Sequence, residues 1–373
     1  MNKSNVAIII PGGIGTGRNN VGVPVLERIV KLLSIDYNLT VFQLYKVNSD
    51  YKVEGFELID IHSANAVIRS IKFLFCFIKM QRQRKFKVVH GLWTLPCGFL
   101  AVLVGKMFGI RNIVSVLGGD AIAIPEIQYG QLQSPLYRKI IFWTLSSADE
   151  VILLTSYLEH NLSKHNFFRK KMKIIPWGID TTLFSFKEKI LSETVQFLHI
   201  ASLHPVKDQE TLLRAFKTIS DIIESRLVII GEGISEDYIR DLIVELDLQS
   251  KVSMLGLLAY EELPAYYHKA DVLLHTSLSE GQSEVVTEAM SCGVLVCGTK
   301  VGLMYDLPEC CISVSVSVRD HDALAALVVH LLKDPDKMRM LRSNASQWTK
   351  SHSMQWTVDK IKEVYNFHSD NYA

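Results

Sequence analysis

The feature that most constrains the fold is a repeated alternation between short apolar runs and longer segments with helical spacing. The β-branched runs VAIII (residues 6–10), QFLHI (196–200) and RLVII (226–230) are each followed by an amphipathic helical pattern. Strands that are apolar along their whole length are typical of parallel sheets covered by helices on both faces. The alternation therefore indicates βαβ units and an α/β fold.

The alternation runs through the chain twice, which indicates two domains. A chain of 373 residues exceeds the roughly 100–200 residues of an ordinary domain and can bury two sizeable cores. The two series are separated by a stretch without the pattern at about residues 181–194. We expect an N-terminal domain over residues 1–182 and a C-terminal domain over residues 190–354, each built on a doubly wound sheet.

Charge is distributed unequally between the two halves. The net charge is only +1, which gives no reason to expect a nucleic acid as a partner. Residues 1–185 hold 22 Lys and Arg against 12 Asp and Glu, a formal charge of +10, whereas residues 186–373 carry −9. This asymmetry predicts that the N-terminal half faces an anionic partner.

The spacing of particular residues disfavours several classes of protein. The six cysteines form no C-x-x-C pair and no two histidines are four residues apart, so we expect no metal site and reduced thiols. The longest near-apolar run, residues 95–105, is shorter than the ~18–20 residues that span a bilayer, and residues 6–10 are too few for a signal-peptide core. The loop GGIGTG (12–17) fits neither a dehydrogenase fingerprint nor a P-loop.

An acidic corner follows one apolar strand of the second half. In SLSEGQSEVVTEAM (277–290), Glu280, Glu284 and Glu288 surround a predicted helix start. Ser283 has the side chain of a typical N-cap, and Glu284 suits the positive end of the helix dipole. Capping and solvated charge explain Glu284 as well as a functional role does, but they explain the other two glutamates less well.

The functional interpretation of this corner is a site for an activated sugar. A carboxylate only accepts hydrogen bonds, so Glu288 can hold both hydroxyls of a ribose and Glu280 the hydroxyls of a transferred sugar. Lys207, at the end of the first strand of the same domain, is placed to supply a cation to a diphosphate. The backbone at the helix start can bind hydroxyls or phosphate oxygens, and its residues are Gly281, Gln282, Ser283 and Glu284.

An ordered set of segments resembles the retaining glycosyltransferases of the GT-B fold, family 4 in the usual classification. SEGQSEVVTEAMSCG (279–293) is similar to the E-x7-E signature of that family, with Glu280 and Glu288 as its two glutamates. The other segments that resemble the family are KIIPWGIDTTLF (173–184), residues 90–120 ending in LGGD, residues 231–277, and HSMQWTVDKIKEVY (352–365).

The resemblance implies a fold and a reaction. Two Rossmann-like domains would face each other across a cleft, with residues 355–373 crossing back to the N-domain. The enzyme would transfer a sugar, with retention, from a nucleotide-diphosphate sugar to a glycan or lipid-linked acceptor, in cell-surface polysaccharide or glycolipid synthesis. No metal or cofactor would be needed.

The resemblance also implies further site residues. Asp120 would lie near the sugar and act with Glu280 and Lys207, although it could equally cap the segment that follows it. The donor side would include Ser202, Leu255 and Gly256, and the N-domain loops would contribute Gly12, Gly13, Gly15, Arg18, Gly118 and Gly119.

Two positions depart from the family pattern. Ser202 stands where the family often has an arginine that assists the diphosphate, and Leu117 stands where it often has a histidine beside the reacting sugar. A front-face mechanism, in which a β-phosphate oxygen helps to take the acceptor proton, tolerates Leu117. Two alternatives stay open: a catalytically impaired sugar-nucleotide-binding protein, which both departures favour, and a sugar-nucleotide epimerase on the same scaffold.

A basic segment of the N-terminal half suggests a membrane as partner. Residues 67–87 carry seven Lys and Arg and no acidic residue. Each cation close to an anionic leaflet contributes about 1 kcal/mol, so Arg82, Arg84, Lys85 and Lys87 together could hold the protein on a bilayer. We expect a cytoplasmic protein that associates with the inner face of the plasma membrane. The alternative is a solvated helix end and a soluble acceptor.

Overall fold

A computed structural model describes residues 3–17, 22–307 and 312–366. Contacts between residues divide the chain into a first unit, Met1–Trp177 with Met354–Ala373, and a second unit, Gly178–Ser353. None of the helices in the described ranges is both long enough and apolar enough to cross a bilayer.

The first unit is built on a parallel sheet, as its apolar runs predicted. Its strands are β1 (Ser4–Ile10), β2 (Tyr37–Gln43), β3 (Glu57–Asp60), β4 (Val88–Leu92), β5 (Arg111–Val116), β6 (Glu150–Leu153) and β7 (Lys173–Ile174), in the order β3-β2-β1-β4-β5-β6-β7. Ile9 of β1 lies opposite Phe42 of β2 and Gly91 of β4. Every residue from Val6 to Ile10 is at most 2% exposed, which explains why this run carries no polar residue.

Helices cover both faces of this sheet. They are α1 (Pro24–Leu33), α2 (Ala66–Arg84), α3 (Phe99–Phe108), α4 (Pro135–Ser147), α5 (Ser156–Lys164) and, from the end of the chain, α13 (Met354–Asn366). Helix α2 begins where the Asn65 side chain accepts hydrogen bonds from two backbone amides of the first turn. Its Phe73 and Phe77 pack on Phe42, with ring centroids 5.5 and 5.7 Å away, so one face of α2 is buried in the core.

The basic end of α2 includes an arginine that forms an ion pair. Arg84 pairs with Glu57 at 2.7 Å and donates to Thr40 Oγ1 at 3.3 Å. Arg82, Lys85 and Lys87 are exposed. Arg84 thus pairs with a carboxylate of the neighbouring edge strand, and its contact with a membrane stays a prediction.

Helix α13 returns from the end of the second unit and packs on the first, as predicted. Tyr37 of β2 donates to Asn366 Oδ1 at 2.9 Å, and the Tyr365 hydroxyl lies 2.9 Å from His90 Nδ1 of β4. Thr357 donates to the carbonyl of Pro176 at 2.7 Å. The helix is thus fixed to the first unit by buried polar contacts as well as by its apolar face.

The second unit repeats the architecture. Its strands are β8 (Val195–Ile200), β9 (Ser225–Ile230), β10 (Val252–Met254), β11 (Val272–His275), β12 (Leu295–Thr299) and β13 (Val314–Val316), in the order β10-β9-β8-β11-β12-β13. Its helices are α6 (Gln209–Ser220), α7 (Glu236–Glu245), α8 (Leu263–Lys269), α9 (Glu284–Ser291), α10 (Leu303–Asp306), α11 (His321–Leu331) and α12 (Pro335–Ser351). Phe197 belongs to the core on one face and Leu198 to the core on the other, because successive strand residues point in opposite directions.

Each sheet reverses its winding at one point. In the first unit the chain moves outward from β1 to β3 and returns to β4, on the other side of β1. In the second unit it moves from β8 to β10 and returns to β11, beside β8. Ligands of open parallel sheets bind beyond the carboxyl ends of the strands at such points. The loops after β1 and β4, and after β8 and β11, are therefore the candidate site loops.

Candidate active site

Lys207 and Glu280 form an ion pair at the reversal point of the second unit. Lys207 ends the short turn that follows β8, and Glu280 lies in the loop that follows β11. Lys207 Nζ is 2.5 Å from Glu280 Oε1. The two loops are tied together by backbone bonds, because Leu278 N donates to the Val206 carbonyl at 2.8 Å. Strand order thus brings together two residues that are 73 positions apart in the sequence.

The environment of Glu280 favours its charged form. Burial alone would raise the pKa of this carboxyl, but the Lys207 ammonium and hydrogen bonding to His275 outweigh burial and hold the pKa well below its usual range. Ser277 Oγ donates to Glu280 Oε1 at 2.6 Å, and His275 Nε2 lies 3.4 Å from the same oxygen. The side chain of Glu280 is 12% exposed and that of Lys207 is 22% exposed. A charged, oriented pair therefore borders solvent.

Ser283 does not act as the predicted N-cap. It precedes α9, but its side chain makes no capping bond, and its φ of +83° lies outside the usual range for a residue with a side chain. Its hydroxyl instead lies 2.9 Å from His275 Nε2, and both residues are buried. The local pattern predicted that Ser283 caps α9, but its hydroxyl is instead in contact with the imidazole of His275 at the end of β11.

Two glycines that were not predicted from the sequence allow close packing at the end of β11 and in the loop that follows it. A Cβ on Gly302, which has φ +55°, would lie 2.6 Å from Glu280 Cβ. A Cβ on Gly298 would lie 1.9 Å from the His275 carbonyl oxygen. Leu303 N also donates to the Gln282 carbonyl at 2.9 Å. A segment that follows β12 therefore sets the position of Glu280, and its only sequence signal is the glycine itself.

The two glutamates of α9 are placed differently from each other. Glu288 is 2% exposed, and its Oε2 accepts a hydrogen bond from the Tyr267 hydroxyl of α8 at 2.7 Å. Burial, and then the charge of Glu280, raise the pKa of Glu284. The ribose role of Glu288 stays a prediction, and the contact with Tyr267 fixes the orientation of its carboxylate.

The remaining predicted donor residues lie along the carboxyl edge of the same sheet. Gly281 and Gln282 are buried between Glu280 and α9. Ser202 is exposed just after β8, and its carbonyl accepts from Gln209 Nε2 at 3.1 Å. Leu255 and Gly256 follow the edge strand β10, where the Gly256 carbonyl accepts from Gly231 N at 2.9 Å. Their contact with a donor stays a prediction.

The loop after β1 carries the predicted glycines of the first unit. Gly12, Gly13 and Gly15 follow β1, and the side chain of Gln43 brackets Ile14 with two hydrogen bonds, at 3.1 Å to its amide and 3.0 Å to its carbonyl. A Cβ on Gly15 would lie 2.4 Å from the ring of Tyr51. Arg18, predicted for the same loop, lies outside the described residues.

Asp120 organises the backbone of the first unit. It follows Gly118 and Gly119 after β5, and it is 1% exposed. One of its oxygens accepts from the amide and hydroxyl of Thr94, at 2.8 and 2.9 Å. The other accepts from the amides of Leu117 and Gly118, at 3.2 and 2.8 Å. These four bonds join the loops after β4 and β5. They give Asp120 a positioning role, and the predicted catalytic contact stays untested.

The chemistry available at the second-unit pair is electrostatic. A lysine beside an ionised carboxylate, at the carboxyl ends of adjacent strands, can hold an anion and a polyol side by side. In the part of the chain that the structure describes, no three His, Cys, Asp or Glu side chains lie close enough together to hold a metal ion.

Two family models match successive parts of the chain. The Glycosyltransferase Family 4 model matches residues 8–183, and the model of glycosyl transferases group 1 matches residues 180–348. The N-acetyl-alpha-D-glucosaminyl L-malate synthase of Bacillus anthracis is 24% identical over 301 residues, 77% of this chain and 75% of that protein. The GDP-mannose-dependent alpha-(1-6)-phosphatidylinositol monomannoside mannosyltransferase of Mycobacterium tuberculosis is 24% identical over 303 residues, 75% of this chain and 76% of that protein.

Solved structures share the fold along nearly the whole chain. Sucrose-phosphate synthase of Thermosynechococcus elongatus superposes with a TM-score of 0.82 at 20% identity, covering 97% of this chain and 98% of that one. HepE of Anabaena in complex with UDP superposes with a TM-score of 0.80 at 16% identity, covering 96% and 99%. The α/β fold and the family resemblance predicted from the sequence are confirmed, and the chain belongs to the GT-B glycosyltransferases, with a family 4 segment followed by a group 1 domain.

Proposed function

We propose that the enzyme transfers a sugar, with retention of anomeric configuration, from a nucleotide-diphosphate sugar to a glycan or lipid-linked acceptor. The observation that carries this proposal is the Lys207–Glu280 pair at the reversal point of the second sheet. The mycobacterial relative is named for its use of GDP-mannose and a phosphatidylinositol mannoside, and the HepE structure contains UDP. The same comparison supports a proposed role in cell-surface polysaccharide or glycolipid synthesis.

The proposed reaction exchanges two bonds at the anomeric carbon. The bond to the β-phosphate oxygen breaks while a bond to the acceptor oxygen forms on the same face of the sugar. The acceptor proton passes to an oxygen of the leaving diphosphate, so no separate base is required and Leu117 is tolerated. Lys207 stabilises the charge that grows on the diphosphate, and Glu280 orients the sugar hydroxyls.

The surroundings of the pair would hold the rest of the donor. Glu288, with its carboxylate oriented by Tyr267, would accept the ribose hydroxyls. The backbone around Gly281 and Gln282 would contact the sugar or phosphate, since it approaches the start of α9. The expectation that neither metal nor cofactor takes part remains a prediction, which activity in the presence of a chelator tests.

The first experiment identifies the donor. Thermal unfolding is measured with UDP-, GDP-, ADP- and CMP-sugars, because a ligand at a hundredfold excess over its Kd stabilises the folded state by about 2.7 kcal/mol. Release of nucleoside diphosphate from the stabilising donor is then measured. Binding without release would favour the sugar-nucleotide-binding alternative, and an altered sugar still attached to its nucleotide would favour an epimerase.

The second experiment tests the site. Lys207→Ala and Glu280→Gln should each lower turnover at least ~100-fold, the scale for losing one preorganised electrostatic group. Lys217→Ala is the matched control, because Lys217 pairs with Asp221 on the surface of α6 at 2.7 Å. Wild-type turnover in folded Lys207→Ala and Glu280→Gln proteins would refute the assignment. Transfer to an acceptor, followed by NMR of the new linkage, tests retention.

An anionic bilayer is the proposed surface partner of the first unit. Ile68, Ile71 and Phe75 lie on one face of α2 and are 57%, 47% and 73% exposed. Lys72 and Lys79 are exposed on the same helix. An exposed apolar stripe flanked by cations is typical of helices that lie in a membrane interface. The enzyme would then act at the cytoplasmic face of the membrane, where lipid-linked acceptors are accessible.

Co-sedimentation with liposomes tests this partner. Binding should occur to vesicles with anionic lipid at low salt and decrease at high salt or with neutral lipid. It should be lost in a variant with Arg82, Lys85 and Lys87 changed to Ser. A variant with the same charge loss elsewhere on the first unit, at Lys106, Lys139 and Lys164, is the control. Equal recovery in the supernatant under all conditions would refute the proposal.

A further inference from the structure

The first unit has an open pocket beyond the carboxyl ends of β4 and β5. Its volume is about 520 Å³, within the roughly 300–1,000 Å³ of small-molecule sites. Its polar and aromatic lining consists of Trp93, Asp120, Tyr129, Gln131, Gln133, Ser134 and Tyr137. All of these lining residues belong to the first unit.

The lining selects a class of ligand. Three aromatic side chains offer flat apolar faces, and two amides and a hydroxyl offer both donors and acceptors. None of the described residues that line the pocket has a cationic side chain, and both oxygens of its single carboxylate, Asp120, already accept hydrogen bonds. A phosphate would find no counter-charge here. A pyranose ring, with a face of C–H groups and a rim of hydroxyls, matches this lining.

The backbone holds the aromatic side chains in place. Trp93 has φ +66° and ψ 135°, an unfavourable conformation for a residue with a side chain, and its amide donates to the Ser115 carbonyl at 3.0 Å. The next residue, Thr94, is fixed by Asp120. Strained backbone of this kind persists where the surrounding structure enforces it, commonly at ligand sites.

Tyr129 is fixed from the other side of the pocket. It closes a small hairpin in which Ile124 and Tyr129 exchange backbone hydrogen bonds of 2.8 and 3.1 Å. Gly130 follows with φ +97°, and a Cβ there would lie 2.1 Å from the Ile122 carbonyl oxygen. Among the described residues no hydrogen-bond partner exists for Gln131 Oε1, although this atom is buried. Fixed backbone therefore holds aromatic residues on both sides of the pocket.

We infer that this pocket binds a neutral saccharide ring of the acceptor, with Tyr137 and Trp93 against the sugar faces and Gln131 and Gln133 on its hydroxyls. The identification of this saccharide as the acceptor rests on the proposed transferase function. Binding of the saccharide itself does not. Asp120 is a positioning residue in this scheme, because it acts through Thr94 and the backbone of the two loops.

Saturation-transfer difference NMR tests the inference on the full-length enzyme without nucleotide. The probes are the methyl α- and β-glycosides of glucose, galactose, mannose and N-acetylglucosamine. At least one should show transfer to its ring C–H protons. Tyr137→Ala should lower that signal at least threefold, and Tyr137→Phe, which keeps the ring, should retain most of it. Leu136→Ala is the control, since Leu136 is 63% exposed on the same helix and does not line the pocket.

The outcomes separate this inference from the proposed function. No transfer to any probe, or equal signals from Tyr137→Ala and Leu136→Ala, would overturn the saccharide site. The measurement involves no donor and no turnover, so a failure of donor hydrolysis leaves its result intact. Because Tyr137 is half exposed, its truncation removes little packing, and circular dichroism of the variant confirms that it is folded.

Discussion

Replacing Glu280 by glutamine separates the two tasks that the structure gives this carboxylate. The amide keeps the shape and can still accept from Ser277, but it removes the charge that lies 2.5 Å from Lys207 Nζ. A hydrogen bond to a charged group contributes about 1.5–3 kcal/mol, and both side chains are less than a third exposed, so solvent screens the pair only in part. For a domain of this size that loss is about 3–12 °C in the unfolding midpoint.

The sign of the pH dependence follows from the lowered pKa of Glu280. A carboxyl with a folded-state pKa below its unfolded value contributes stability above the unfolded pKa, about 4.3, and loses it as the pH falls toward the folded value. The midpoint difference between wild type and Glu280→Gln should therefore be largest near neutral pH and shrink below about pH 4. Thermal unfolding by circular dichroism from pH 3 to 8 measures it.

The same variant should bind free nucleoside diphosphate more tightly while turning over less. Removing an anion beside Lys207 leaves more of its positive charge for the diphosphate, which we estimate as a 3–10-fold gain, since about 1.4 kcal/mol is tenfold. Glu210→Gln is the control, because Glu210 pairs with Arg214 on the surface of α6. Weaker diphosphate binding by calorimetry, together with an unchanged midpoint, would refute the view that Glu280 holds and partly neutralises Lys207.

Three further predictions follow from other contacts. Gly302→Ala should lower donor hydrolysis about 10–100-fold by displacing Glu280. Gly109→Ala is the control, because Gly109 also has a positive φ of +62° but no atom lies within 4 Å of the added carbon. Equal activities of the two variants would contradict the close packing at Gly302. Asp120→Asn should cost about 1–3 kcal/mol of unfolding free energy, because its amide nitrogen would face a backbone donor; full stability with lost activity would instead support direct catalysis. Burial lowers the pKa of His199 to about 4, so its neutral form contributes stability above the unfolded pKa near 6.5. Lowering the pH from 6.5 to 5 should therefore cost up to ~2 kcal/mol of unfolding free energy. If the unfolding midpoint of His199→Asn falls as steeply with pH as that of the wild type, His199 is excluded as the cause.

The sequence was sufficient for the strands, the sheet type and the placement of Lys207 and Glu280. Buried parallel strands need apolar side chains on both faces, so VAIII and similar runs carry a strong local signal. The carboxyl ends of parallel strands meet at one edge, so the sequence alone predicts that residues after β8 and β11 share a site. That inference needed only the order of the elements.

The contacts that the sequence did not predict are those in which a partner from another element takes a side chain with a clear local preference. Ser283 has a side chain suited to capping, but His275 takes its hydroxyl. Arg84 lies in a basic run, but Glu57 takes its guanidinium. In both cases the partner comes from a strand whose register against its neighbours is set by the whole sheet. Local sequence propensity carries no information about that register, so these contacts cannot be predicted from one segment alone.

The acidic residues near both reversal points have a common structural logic. Asp120 is buried and accepts four hydrogen bonds that join two loops, and Glu280 accepts from Ser277 and pairs with Lys207 across two loops. Loops at the ends of parallel strands have no ladder to align them, so a carboxylate that bridges them supplies the missing constraint. The chain thus places acidic side chains beside its candidate binding sites partly to hold the backbone and the lysine in position before any ligand arrives. Replacing Asp120 by Asn or Glu280 by Gln should therefore lower stability as well as turnover. Carboxylates that only bind a ligand would affect turnover alone.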